Sequence, residues 1–203
     1  VGFIRPVLGL RDGIMYSEWI QEGQINYENL DRKQLIETVS AYIASRVKGL
    51  RFTEDPSPSI CLSEYQCGMM LVNMNITRSS LRSMVALLKH LVLRHELSTL
   101  TCSVASLIDG KMRLGEWLQT DSGIVKTDFE QHGLGKIEVN VTDPAYDLAD
   151  SILSFDLSRQ EETELLNKYA SISRDTGVTT RMPLYKILTG MRNMSASMNC
   201  INN

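Results

Sequence analysis

Asp128 closes an apolar, strand-like run, Ile124-Val125-Lys126-Thr127, and Glu116 stands twelve residues earlier at the start of a similar run, Trp117-Leu118-Gln119. Asp121-Ser122-Gly123 between them reads as a tight turn, and hairpin pairing about it brings the two carboxylates near each other. Hard oxygen ligands at strand ends suit magnesium, above all where a nucleotide phosphate completes the coordination. Two solvated acids flanking a hairpin would have the same spacing, so spacing alone leaves both readings open.

Fifteen residues beyond Asp128, Asp143-Pro144 opens a second marked stretch, where an aspartate cap and a first-turn proline start the helix-like run YDLADSILSFDL. Between the two lies His132, four residues after Asp128, close enough in sequence to approach a phosphate or metal but more simply a solvated loop histidine. HGLGK (132–136) lacks the G-K-[ST] ending of a phosphate loop, and His90 and His95 are five apart rather than at the i, i+4 spacing of a helical metal pair. The four cysteines, Cys61, Cys67, Cys102 and Cys200, share no CxxC spacing. That argues against a structural zinc site or a disulfide framework, and makes a reducing cytoplasm the expected compartment.

The elements that must hold these residues can be read from periodicity and punctuation. FIRPVLGLRDGIMYSEWI reads as two short strands about Asp12-Gly13, a hairpin signal. Asp31 caps a helix in which Leu35, Val39, Tyr42, Ile43 and Val47 recur at helical spacing and Gly49 suits the stop. Further helices are expected over 63–75 and 78–97, the second apolar around much of its circumference, followed by strand-like residues from Leu97 to Ile108. After the 117–127 hairpin and the YDLADSILSFDL helix, Ser158 and Glu161 form a capping box for RQEETELLNKYASIS. A last helix is expected from Arg181 or Pro183, with a fraying tail after Met198. The order predicts an α+β, mostly helical chain whose irregular polar backbone gathers around 109–143, where sites tend to sit.

Composition narrows the partners. A length of 203 residues suffices for one domain with a substantial core or two small lobes. The net charge of −3 and pI of about 5.7 give no bulk pull toward nucleic acid or an anionic membrane. The longest apolar run, Val85 to Val92, is broken by Lys89 and His90, and VGFIRPVLGL lacks the regions of a signal peptide.

DGKMRLGEWL (109–118), TDFE (127–130) and DPAYDLA (143–149), in that order, resemble the catalytic segment of the aminoglycoside phosphotransferase and choline kinase superfamily, which has the protein-kinase-like fold. That pattern runs roughly H-G-D-x-x-x-x-N-x-L, a short hairpin, [IV]-D-[FW]-[GE], then D-P-x-x-D-L-A. RPVLGLRDGIMYSEWI looks like the last two strands and hinge of the smaller lobe, and RMPLYKIL like a late helix of the larger one. The resemblance implies residues 1–20 as a remnant of the N-lobe and 21–203 as the helical C-lobe. Most of the N-lobe, with its phosphate loop and lysine, is then missing, and a fragment preceded by an upstream N-lobe is the expected explanation. It further implies ATP and Mg2+ as cofactors and adenine held by backbone near Glu18, Trp19 and Ile20. Asp128 falls on the magnesium-binding aspartate, Asp147 on the aspartate bracing the catalytic loop, and Asp143 on the one capping that helix.

The first motif departs from the pattern. Its catalytic aspartate falls on Lys111, its histidine on Asp109 and its metal-binding asparagine on Glu116. An ammonium does not take a proton from a hydroxyl unless its pKa is strongly depressed, although it pairs with phosphate as a point charge. Glu116 keeps an oxygen ligand for metal, and Asp109 is a conceivable substitute base, though backbone direction argues against it. Glu161, Glu162 and Glu164 are weaker candidates for receiving a cationic acceptor. Two functions are therefore expected: an ATP-dependent phosphotransferase acting on a small hydroxyl-bearing molecule, or a non-catalytic pseudokinase serving as a nucleotide-binding or scaffold module.

Overall fold

The computed structural model describes residues 2–4, 6–20, 30–52, 105–121, 123–127 and 141–201. Asp128, the expected helices over 63–75 and 78–97, all three histidines and HGLGK lie outside them.

The amino-terminal hairpin forms as the sequence predicts. Strands β1 (Val7–Arg11) and β2 (Ile14–Ser17) pair antiparallel about Asp12 and Gly13. Both turn residues take positive φ, 53° and 77°, the left-handed conformation that matches strand twist in a two-residue loop. Helix α1 (Arg32–Gly49) starts at Asp31, whose carboxylate accepts the Gln34 N–H at 3.0 Å. Its face of Leu35, Ile36, Val39, Tyr42, Ile43 and Val47 is buried, packed largely on α3 (Arg159–Ser173). Both hydrogen bonds of the Ser158–Glu161 capping box are present at the start of α3.

Two short pairings position the central segment. Strand β3 (Ser106–Leu107) lies between β6 (Val141–Thr142) and the chain at 50–52, with Leu107 N–H donating to the Leu50 carbonyl and Phe52 N–H to that of Ala105. Strands β4 (Trp117–Thr120) and β5 (Gly123–Lys126) form the expected hairpin, with Trp117 opposite Lys126 and Thr120 opposite Gly123. Helix α2 (Ala145–Ser154) is buried from Ala145 to Ile152 and packs on α4 (Val178–Ile201). Edge-to-face contacts join Phe3, Tyr42, Trp117 and Phe155 in one line, with ring centroids 6.2, 5.5 and 6.4 Å apart. That line ties the amino-terminal segment, α1, the hairpin and the end of α2 into one core.

The last helix corrects its predicted start and end. It begins at Val178 and runs to Ile201, with Pro183 inside it. Val178, Met182 and Tyr185 are buried at i, i+4 and i+7, while Pro183 is exposed. Burial of that stripe outweighs the one hydrogen bond proline forfeits so near the helix start.

Candidate functional site

The strand β3 to β4 segment is fixed from behind by α2. The Asp147 carboxylate accepts the backbone N–H groups of Asp109 and Gly110, each at 2.8 Å, and Asp150 accepts that of Met112 at 2.8 Å. Asn193 on α4 in turn donates to Asp150 at 3.0 Å. Three of the donors of an irregular loop, at 109, 110 and 112, are thus satisfied by side chains of one helix, which leaves the loop little freedom. Burial pushes Asp147 up to about 7, reinforced by the charge of Asp109 and opposed by the two backbone N–H groups. Helix α1 grips the same loop from the other side, where the Arg46 guanidinium donates to the carbonyls of Leu107 and Ile108, both at 3.1 Å.

Within this frame lies a buried chain of alternating charge. The Tyr42 hydroxyl donates to Asp109 Oδ2 at 2.5 Å, and Asp109 Oδ1 faces Lys126 Nζ at 3.5 Å. Lys126 donates to Glu116 Oε2 at 2.8 Å, and Glu116 Oε1 is ion-paired with Lys111. The Lys126 side chain is 0% exposed, whereas that of Lys111 is 29% exposed and forms the solvent end of the chain. Burial raises the Asp109 carboxyl, against the pull of Lys126 and of the Tyr42 hydrogen bond. The segment opposite Glu116 is Thr127, whose N–H and hydroxyl both reach the Glu116 carbonyl at 2.9 Å.

Of the residues the sequence singled out, the structure gathers Asp109, Lys111, Glu116 and Asp147 in one place. Asp143 lies beneath them at the start of α2, where its Oδ1 accepts the Ala145 N–H at 2.9 Å and its main partner is Arg181. Glu18, Trp19 and Ile20 follow β2 as extended chain, with Trp19 78% exposed. Sequence reasoning missed Lys126, Arg46, Asp150 and Arg181, and took Tyr42 only as a core residue. The one signal for Lys126 was a lysine ending an otherwise apolar strand.

The acids of α3 are engaged rather than open to a cationic ligand. Glu161 is held by Arg32 and the capping box, Glu162 by Lys186 and Glu164 by Lys168. The Arg32 bond holds Glu161 at about 2, below its ordinary 4.5. Its contribution to stability is therefore complete above about pH 4.5 and disappears as the pH falls toward 2. Urea midpoints measured across that range will fall with acidification, and Arg32→Met will flatten this part of the curve.

Magnesium, the ion such a fold implies, was tested against the residues present. Both oxygens of Glu116 are taken by ammonium groups, and Asp109 is turned inward onto Tyr42 and Lys126. Among the described residues no group of three His, Cys, Asp or Glu side chains is placed to hold a metal. As arranged, Glu116 does not fit the role of a metal ligand.

No family model matches the chain, and no curated protein is similar to it in sequence. Among solved structures it is similar to choline kinase LicA from Streptococcus pneumoniae, with a TM-score of 0.62 at 14% identity over 94% of this chain and 64% of that one. LicA in complex with AMP superposes with a TM-score of 0.58 at 15% identity, over 93% and 61% of the two chains. The chain thus spans somewhat under two thirds of the protein it resembles. Its fold is that of the choline kinases, a form of the protein-kinase-like fold. No helix among the described residues is long and apolar enough to cross a membrane.

Proposed function

We propose that the chain is a degenerate kinase-fold module that holds a nucleotide without transferring its phosphate. The observation that carries this reading is Lys111 at the position expected for the catalytic aspartate, with its ammonium group on Glu116. An ammonium offers no lone pair for the proton of an acceptor hydroxyl, and Asp109, the conceivable substitute base, is buried against Tyr42 and Lys126. The likeness of fold to LicA, known in complex with AMP, supports a nucleotide as ligand, with ATP the form expected. Residues 1–20 serve in this reading as the hinge and strand remnant of a smaller lobe, with Glu18, Trp19 and Ile20 receiving the base. Residues 21–203 serve as the helical lobe, acting in a reducing compartment such as the cytoplasm.

The second reading, an active phosphotransferase for a small hydroxyl compound, is favoured by one specific feature. Asp147 and Asp150 hold the loop amides as firmly as a working catalytic loop would need. The two readings separate in one experiment. ATP will raise the thermal midpoint of the protein, and no phosphate will pass to choline, ethanolamine or an aminoglycoside. Absence of any nucleotide-dependent shift sinks both readings, and measured transfer establishes the second. Lys111→Asp reports on the cause, since transfer gained by that variant alone would show that position 111 disabled the site.

A further inference from the structure

The Lys111–Glu116–Lys126 arrangement has a consequence for how any phosphate-bearing ligand is held. Glu116 is nearly buried, and each of its oxygens meets a separate ammonium group, one from the loop before it and one from the strand opposite. Lys126 is immobilised by full burial, by Asp109 on its far side and by the Trp117 ring, whose centroid lies 5.9 Å from Nζ. A divalent cation entering at Glu116 would have to displace Lys111 and then sit a few ångströms from the fixed charge of Lys126. Coulomb repulsion in so dry a place opposes that strongly.

We infer that the ammonium pair of Lys111 and Lys126 takes the place of a divalent cation at Glu116, so that this site binds a nucleotide phosphate through Lys111 with no bridging metal. The inference rests on the nucleotide-binding reading for its ligand, but not for its account of Glu116. Lys126 fixes the position of Glu116, Glu116 orients Lys111, and the part-exposed Lys111 ammonium presents a point charge to an anion. Lys111 is a binding residue here and Lys126 a positioning residue.

Two titrations of the full chain test this. In the first, ADP is titrated by calorimetry in EDTA and again in magnesium chloride. Equal affinity in the two media, weakened about tenfold or more in Lys111→Met, is the expected result. Affinity that appears only with magnesium and vanishes in Glu116→Gln overturns the inference while leaving nucleotide binding intact. ADP failing to bind in either medium overturns the nucleotide reading and the phosphate half of this one. The second titration uses Mn2+ alone, followed by its paramagnetic signal, and so decides the Glu116 half without any nucleotide. The wild type should show no Mn2+ binding that depends on Glu116. Wild-type Mn2+ binding lost in Glu116→Gln would sink the idea.

Discussion

Arg181→Met is expected to lower the unfolding free energy by about 3–5 kcal/mol, the cost typical of removing one partner from a buried ion pair. The guanidinium is bonded through Nε to Asp143, through Nη2 to Asp143 Oδ1 at 3.1 Å and Asp175 Oδ2 at 2.6 Å, and through Nη1 to Asp175 Oδ1 at 3.2 Å. All three residues are buried, and Tyr169 adds a hydrogen bond to Asp175 at 3.2 Å. Methionine fills much of the space but leaves two carboxylates without their cation in a region already costly to charge, as the burial-raised Asp143 shows. Asp143 immediately precedes the helix that carries Asp147 and Asp150, so the loss should spread to the loop they hold. Urea unfolding measures the stability, and amide exchange at Asp109, Gly110 and Met112 measures the spread. Arg181→Lys should recover less than half of the loss, because a point donor cannot serve two carboxylates in the forked geometry. Wild-type stability in Arg181→Met would show that the cluster contributes nothing net.

Arg181 also marks where sequence reading stops. The bracing role of Asp147 came only through the resemblance carried by DPAYDLA, since the loop amides it accepts lie 37 and 38 positions away. The capping box at Ser158 and Glu161 and the Asp12-Gly13 turn were legible from the residues themselves, because partner and partner lie a few residues apart. The Arg181 pairing with Asp143 spans 38 positions, and that of Tyr42 with Asp109 spans 67. Nothing in either neighbourhood states that a partner exists. Lys126 was read only as part of a strand, and simple alternation does not hold there, since Ile124, Val125 and Lys126 are all buried. The chain at Phe3 and Ile4 pairs along the outer edge of β5, with the Lys126 N–H donating to the Phe3 carbonyl at 2.7 Å, while Asp109, Glu116 and the Trp117 ring lie against the Lys126 side chain. The local pattern was right about the strand and silent about its cover. Glu116 shows the same limit. The hairpin reading set it beside the end of the next strand, where it meets Thr127, but gave no sign of Lys126 buried against its carboxylate.

The lysine so hidden gives the second large effect. Lys126→Met should cost about 3–5 kcal/mol as well, by leaving the buried Asp109 and Glu116 facing each other with their shared cation gone. Two features separate this loss from a simple packing defect. The first is its pH dependence. Burial already raises the Asp109 carboxyl, and Lys126 is the strongest influence holding it down, so its removal lifts Asp109 further. Over the range between its ordinary value and that raised one, the folded variant binds more protons than the unfolded chain, and its stability falls as pH rises. The deficit relative to wild type should thus be smaller within the ordinary carboxylate range of pH than well above it in urea titrations. A packing defect would be the same at both. The second feature is coupling. Adding Glu116→Gln removes the orphaned charge, and the double variant should regain about 1–3 kcal/mol over Lys126→Met alone, within the range found for residues of one charge network. Additive losses would mean that Glu116 and Lys126 do not act on each other, and the charge chain from Tyr42 to Lys111 would then be an accident of proximity.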